Sequence, residues 1–129
     1  MLAILFLFLA GIFDAVSDSV ENEHIHDTIF SVLPFKFWSK RDSWKEVKRV
    51  FSYPMDAWHI SKSLWIICIA LAISLYSSLT DLWYIDFIIF GFTWNASFNL
   101  FYTHIFQSTN KFSKLFVSLL YKITPKYLK

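Results

Sequence analysis

The sequence predicts an all-α membrane protein, with three transmembrane helices plus interfacial amphipathic helices, on three observations. The 129 residues are 56% hydrophobic and 21% aromatic, far above a soluble globular average. Apolar runs at about 1–20, 55–76 and 82–106 are each long enough to cross a hydrocarbon core of about 30 Å at about 1.5 Å per residue. All twelve Lys and Arg fall within 36–62 and 111–129, and none in 1–35 or 63–110. With three spans both basic blocks lie on one side of the bilayer. Basic residues mark cytoplasmic flanks, so the N-terminus is expected outside and the C-terminus in the cytoplasm.

The length predicts one membrane domain, 1–129. Two Gly, three Pro and one Cys leave little for turn-rich β architecture or a disulfide framework, and Cys68 inside an apolar run reads as a small core residue. The basic blocks abut apolar spans, which makes membrane lipids their partners; no nucleic acid is expected, because charge alone would support it.

Residues 1–13 have the apolar character of a secretory signal but lack a basic leading region and a clean small-x-small cleavage site, so they read as a retained helix. Thirteen residues are too few to span. The helix is therefore expected to run through Asp14 and Asp18 to about residue 20, with Ala10, Gly11, Asp14, Ser17, Asp18 and Glu21 forming a small-and-acidic stripe turned toward protein. Asn22–Asp27 is too polar for lipid. An interfacial segment at about 30–52 follows, with Phe and Trp of Phe30–Trp38 at headgroup level around Pro34. Its second half, Ser43–Phe51, reads as an amphipathic helix: Trp44, Val47 and Phe51 oppose Lys45, Lys48 and Arg49, with Asp42 or Ser43 as cap. Pro54 punctuates before the second span. Ser77–Asp81 is a turn in which Thr80 or Asp81 caps the third span. Last, about 111–124 repeats the basic amphipathic theme, with Phe112, Leu115, Phe116, Leu119, Leu120 and Ile123 at helical spacing between lysines.

The spans carry ionisable groups, and each such group is a site candidate. Counting from the middle of each span, Asp14 and Ser63 share one depth and Asp18 and His59 another, with Asn99 and Thr103 matching them on the third span. Asp56, His59, Ser63, Ala70 and Ser74 form one stripe, and Gly91, Asn95, Asn99 and Tyr102 another. If both face the bundle centre, a polar cluster of Asp14, Asp18, Asp56, His59, Asn95 and Asn99 lies in the cytoplasmic leaflet, bordered by Lys62. Asp86 and His104 are expected on the far side of the third helix.

Three chemistries suit such a cluster. Asp14/Asp18, Glu21-x-x-His24 and Asp56-x-x-His59 have the spacing with which helical bundles hold divalent metals, which makes Asp18, Glu21, His24, Asp56 and His59 the candidate ligands. Zn, Mn or Fe is the cofactor that oxygen and imidazole donors favour, and the metal would activate water against an amphiphilic substrate. The same groups suit a proton or ion pathway. In the third reading the acids pair with Lys62, His59 and the amides to fix helix register, in an accessory or structural protein with a protein partner or as a homo-oligomer.

The series Asp18, His24, Thr28-Ile29-Phe30, Phe37-Trp38, Ser43-Trp44-Lys45 and Asp56-Ala57-Trp58-His59 resembles uncharacterised small integral membrane proteins of bacteria and their phages with an Asp-Ala-Trp-His motif. Met55 stands where those proteins have Thr, and the interval from Lys45 to Asp56 is short. The resemblance covers about residues 10–65 and implies the inner membrane as location and a shared pattern of Asp18, His24, Asp56 and His59. It implies no reaction.

Overall fold

The computed structural model describes residues 1–21, 25–40, 49–50, 53–107 and 111–124. Apart from one two-residue antiparallel ladder, Arg49–Val50 (β1) with Tyr53–Pro54 (β2), its regular structure is helical. Helix α1 covers Leu2–Glu21, two 3₁₀ turns cover Ile25–Asp27 and Ile29–Val32, and α2 is the single turn Phe35–Trp38. Then come α3, Ala57–Ser74, and α4, Trp83–Asn99, which continues as a π-helix through Leu100–Phe106. Helix α5 covers Lys111–Ile123. Two of these, α1 and α3, are by length and composition apolar enough to cross a membrane. Of the amphipathic helix expected over Ser43–Phe51, Arg49 and Val50 form β1 instead, paired with Tyr53–Pro54; its other residues fall outside the described residues, as does His24.

Helix α1 is the central element. It packs along both α3 and α4, which make no comparable contact with each other. Ala3, Ala10, Gly11, Ala15, Ser17 and Ser19 are buried on it, and α3 buries Ala57, Ser61, Cys68 and Ala72. Small side chains let backbones approach closely, and where packing rather than water expulsion drives association this is the efficient contact. Ser17 Oγ meets Ser61 Oγ at 3.3 Å across the α1–α3 contact. Facing α4, a methyl group on Gly11 would lie 2.6 Å from Trp94 O and 3.0 Å from Phe98 N, so only hydrogen fits there.

The aromatic core sits at one end of the bundle. Phe30 and Phe106, both fully buried, have ring centroids 5.1 Å apart, and Phe106 also meets Phe101 and Phe116. Trp38 stacks near Phe30 and donates from Nε1 to Thr124 Oγ1 at 2.8 Å, tying the α2 turn to the end of α5. The sequence expectation put the Phe30–Trp38 aromatics at headgroup level. Phe30, Phe37 and Trp38 are core residues, because the α5 face of Phe116 and Leu120 and the buried Ile105 and Phe106 enclose them. The opposite flank of α5, with Leu115, Leu119 and Ile123, stays exposed. So do Ile66, Ile67 and Ile73 on α3 and Phe87, Ile88 and Phe92 on α4.

Gly11→Ala is expected to destabilise the bundle by about 1–3 kcal/mol, the usual range for overpacking, and Gly11→Val by more. Thermal unfolding in detergent micelles measures this. An unchanged midpoint for both variants would mean that α1 and α4 do not meet at Gly11.

Candidate functional site

Charged and hydrogen-bonding groups gather where the last two turns of α1 face the first two of α3. Asp14 is buried on α1, and Lys62 reaches to it from α3, Nζ to Oδ1 at 3.1 Å. The same ammonium lies 4.5 Å from the centroid of the Trp65 ring, an added attraction for a cation. Asp18, one turn on, is exposed and lies within electrostatic reach of Asp14, Lys62 and Glu21. Glu21 ends the ladder. It accepts from Lys40 Nζ and from Trp58 Nε1, the latter at 2.8 Å, while Lys40 covers the Trp58 ring at 3.8 Å.

Asp56 and His59 form a local unit at the mouth of α3. Asp56 is fully buried and is the N-cap: Oδ1 accepts from His59 N at 2.9 Å, satisfying a backbone donor that helix geometry leaves open. Its other oxygen lies 2.8 Å from His59 Nδ1. Both carboxylate oxygens are thus engaged within one turn of helix.

Each expected site residue except His24 has a definite place. Asp14, Asp18 and Glu21 share one ladder with Lys62 and Lys40, and Asp56 and His59 make a capping pair beside it. Asn95 and Asn99 are not in the cluster: both are exposed on α4, where Asn99 Nδ2 donates to Asn95 O and Oδ1. Neither expected polar stripe is a packing face. Ala70 and Ser74 on α3 and Gly91 on α4 are exposed, and the buried positions are Ala57, Ser61, Cys68 and Ala72 on α3 and Asp86 and Ser97 on α4. Close packing selects small residues, whereas polar groups near a helix end can be satisfied by long side chains reaching in, as Lys62 does. His24 lies outside the described residues, and among the described residues no three His, Cys, Asp or Glu are grouped to hold a metal ion.

Asp86 also stands elsewhere than the sequence predicts. Asp86 is 1% exposed, turned inward, and organises the α3–α4 connection. It accepts from Tyr76 Oη at 2.9 Å, Leu79 N at 3.0 Å, Thr80 N at 2.9 Å, Thr80 Oγ1 at 2.8 Å and Ser78 Oγ at 3.3 Å. Neither Thr80 nor Asp81 caps α4. Leu82 stands at the N-cap and uses no side-chain bond, while Thr80 Oγ1 accepts from Leu82 N at 3.2 Å. Four of those five donors come from Ser78, Leu79 and Thr80, residues of the very loop that the sequence marks as a turn. An acid one turn into the following helix was the available signal.

Because α3 and α4 each lean on α1, an apolar cleft opens between them, with a volume of about 570 Å³. Trp65, Ile69, Phe87, Phe90 and Trp94 line it, Leu7 of α1 contributes, and Tyr76 and Asp86 stand among its lining residues. The Nε1 atoms of Trp65 and Trp94 are buried with no hydrogen-bond partner among the described residues.

Comparison with family models, with curated proteins and with solved structures gives no match.

Asp86→Ala leaves the backbone N–H groups of Leu79 and Thr80 without their acceptor, which loosens the turn. Its unfolding midpoint in micelles is expected to fall well below that of Asp81→Ala, the exposed neighbour. Equal midpoints would remove Asp86 from the turn.

Proposed function

We propose that the chain is a small polytopic membrane protein of accessory or structural type, whose buried acids fix helix register rather than perform a reaction. In this reading α1, α3 and α4 with its π continuation are three spans. The basic flanks and the aromatic core lie at the cytoplasmic side, with the N-terminus outside. The exposed Ile and Phe of α3 and α4 are then lipid contacts, which accounts for apolar side chains pointing away from the protein.

The observation that carries the proposal is the Lys62–Asp14 ion pair joining α1 to α3. A buried carboxylate that already has an ammonium at 3.1 Å is a poor metal ligand or proton carrier, because releasing it would expose two unpaired charges. Glu21 and Asp56 are engaged likewise, by Lys40 and Trp58 and by the His59 turn. What the ladder does well is set depth and rotation of α3 on α1. Removing one partner strands the other, whereas replacing both by apolar groups of similar size need not destabilise.

A mutant cycle separates the readings. Lys62→Met alone is expected to cost on the order of 2–3 kcal/mol of stability in bicelles, less than for a wholly buried pair because Lys62 is 29% exposed; Asp14→Leu with Lys62→Met should recover most of it. A double variant as unstable as the single would contradict a register role.

Function is tested in sealed vesicles. Purified protein is expected to carry no proton or cation flux above protein-free vesicles. Flux that Asp18→Asn abolishes would replace the structural reading with an ion pathway.

A further inference from the structure

We propose that the outward face of α4 bearing Asn95 and Asn99 is the surface through which two copies of this chain associate in the membrane. The inference rests on the reading of α4 and its π continuation as a span.

The helical run Trp83–Phe106 has Asn95 at its middle, as far as possible from both ends. On that reading Asn95 is at mid-bilayer and Asn99 one turn away, where water is absent and an unsatisfied polar group costs several kcal/mol. Both amides are exposed, on the side of α4 away from the Trp94–Ser97–Phe98 surface that meets Gly11. Their mutual bond uses Asn99 Nδ2 and Asn95 Oδ1. Asn95 Nδ2 and Asn99 Oδ1 make no hydrogen bond among the described residues, so one donor group and one acceptor remain.

The occupant follows from this chemistry. The surrounding outward side chains, Ile88, Phe92 and Ala96, are uncharged, and the sequence has no Asp, Glu, Lys or Arg from 87 to 110. Nothing there selects a charged partner, and lipid tails supply neither donor nor acceptor. A carboxamide pair carrying a spare donor and a spare acceptor is complementary to itself across a two-fold axis, the commonest symmetry of oligomers. Interhelical amide bonds in lipid are individually modest, about 0.6–2 kcal/mol. Gly91, with open space where a side chain would stand, lies one turn from Asn95 and admits a second helix closely.

The test uses the full chain in membranes, with Cys68→Ala so that an introduced thiol is the only one. Under mild oxidation, Asn95→Cys and Asn99→Cys are expected to give a disulfide-linked species of twice the chain mass. Leu5→Cys and Ser74→Cys, exposed on α1 and α3, are expected to give little. In a second measurement, energy transfer between labelled copies in lipid vesicles should show at least about tenfold weaker association for Asn95→Leu/Asn99→Leu, at unchanged helix content. Equal cross-linking at all four positions, a mixed disulfide with another protein, or unchanged energy transfer would overturn the second copy as occupant. An impermeant maleimide keeps the two layers apart. If Asn95→Cys reacts quickly in intact vesicles, α4 is not embedded, and the span reading falls together with the pairing. If the thiol is shielded and no dimer forms, only the pairing falls.

Discussion

The close approach of α1 to two other helices, made through Ala10, Gly11, Ala15 and Ser17, is the constraint on which the rest of the structure depends. A helix of Leu and Phe on every side would hold its neighbours at the usual 8–10 Å axial separation. The small face lets α3 and α4 both settle on α1, and they make little contact with one another. The apolar cleft and the long outward faces of α3 and α4 are consequences of that arrangement, as is the inward turn of Asp86 to hold the connection between them.

The small residues permit the approach of α3 to α1, and the charges select its register. Once Ser17 and Ser61 are in contact, Lys62 is placed within reach of Asp14, and the Trp65 ring gives its ammonium a second attraction. Toward the end of α1 the groups become more exposed, and Glu21 draws its partners from Lys40 and Trp58 rather than from the bundle interior. The buried member of the ladder is therefore the one with a salt bridge from the neighbouring helix, which is where an unpaired charge would be most costly. Asp56 serves a different need. It closes the open end of α3 and holds His59, so its burial is a capping arrangement.

Much of this was legible in the sequence. Composition and run length give the three long helices nearly to their observed ends, and the stripe expected on α1 is buried at Ala10, Gly11, Asp14 and Ser17 but exposed at Asp18 and Glu21. The facing of α3 and α4 was not legible by the same route. Their apolar residues run all round, so hydropathy gives no direction, and a stripe of polar residues is a poor guide when polar groups can be satisfied within their own helix, as Asn95 and Asn99 are in part. The informative residues on α3 were Ala57, Ser61, Cys68 and Ala72, small and therefore unobtrusive on any polarity scale. The aromatic core at Phe30 and Phe106 was hidden for another reason: its members come from three distant stretches, and nothing local in Phe30–Trp38 distinguishes a buried cluster from an interfacial one.

The central claim is that α1 carries α3 directly on its small face. Disulfide formation in native membranes between Ser17→Cys and Ser61→Cys, with Cys68→Ala, tests it most directly, because the two hydroxyls stand 3.3 Å apart. The account predicts rapid, near-complete intramolecular cross-linking of that pair and little between Ser17→Cys and Ser74→Cys at the other end of α3. Absence of the first cross-link, in protein that remains folded and membrane-bound, would contradict it.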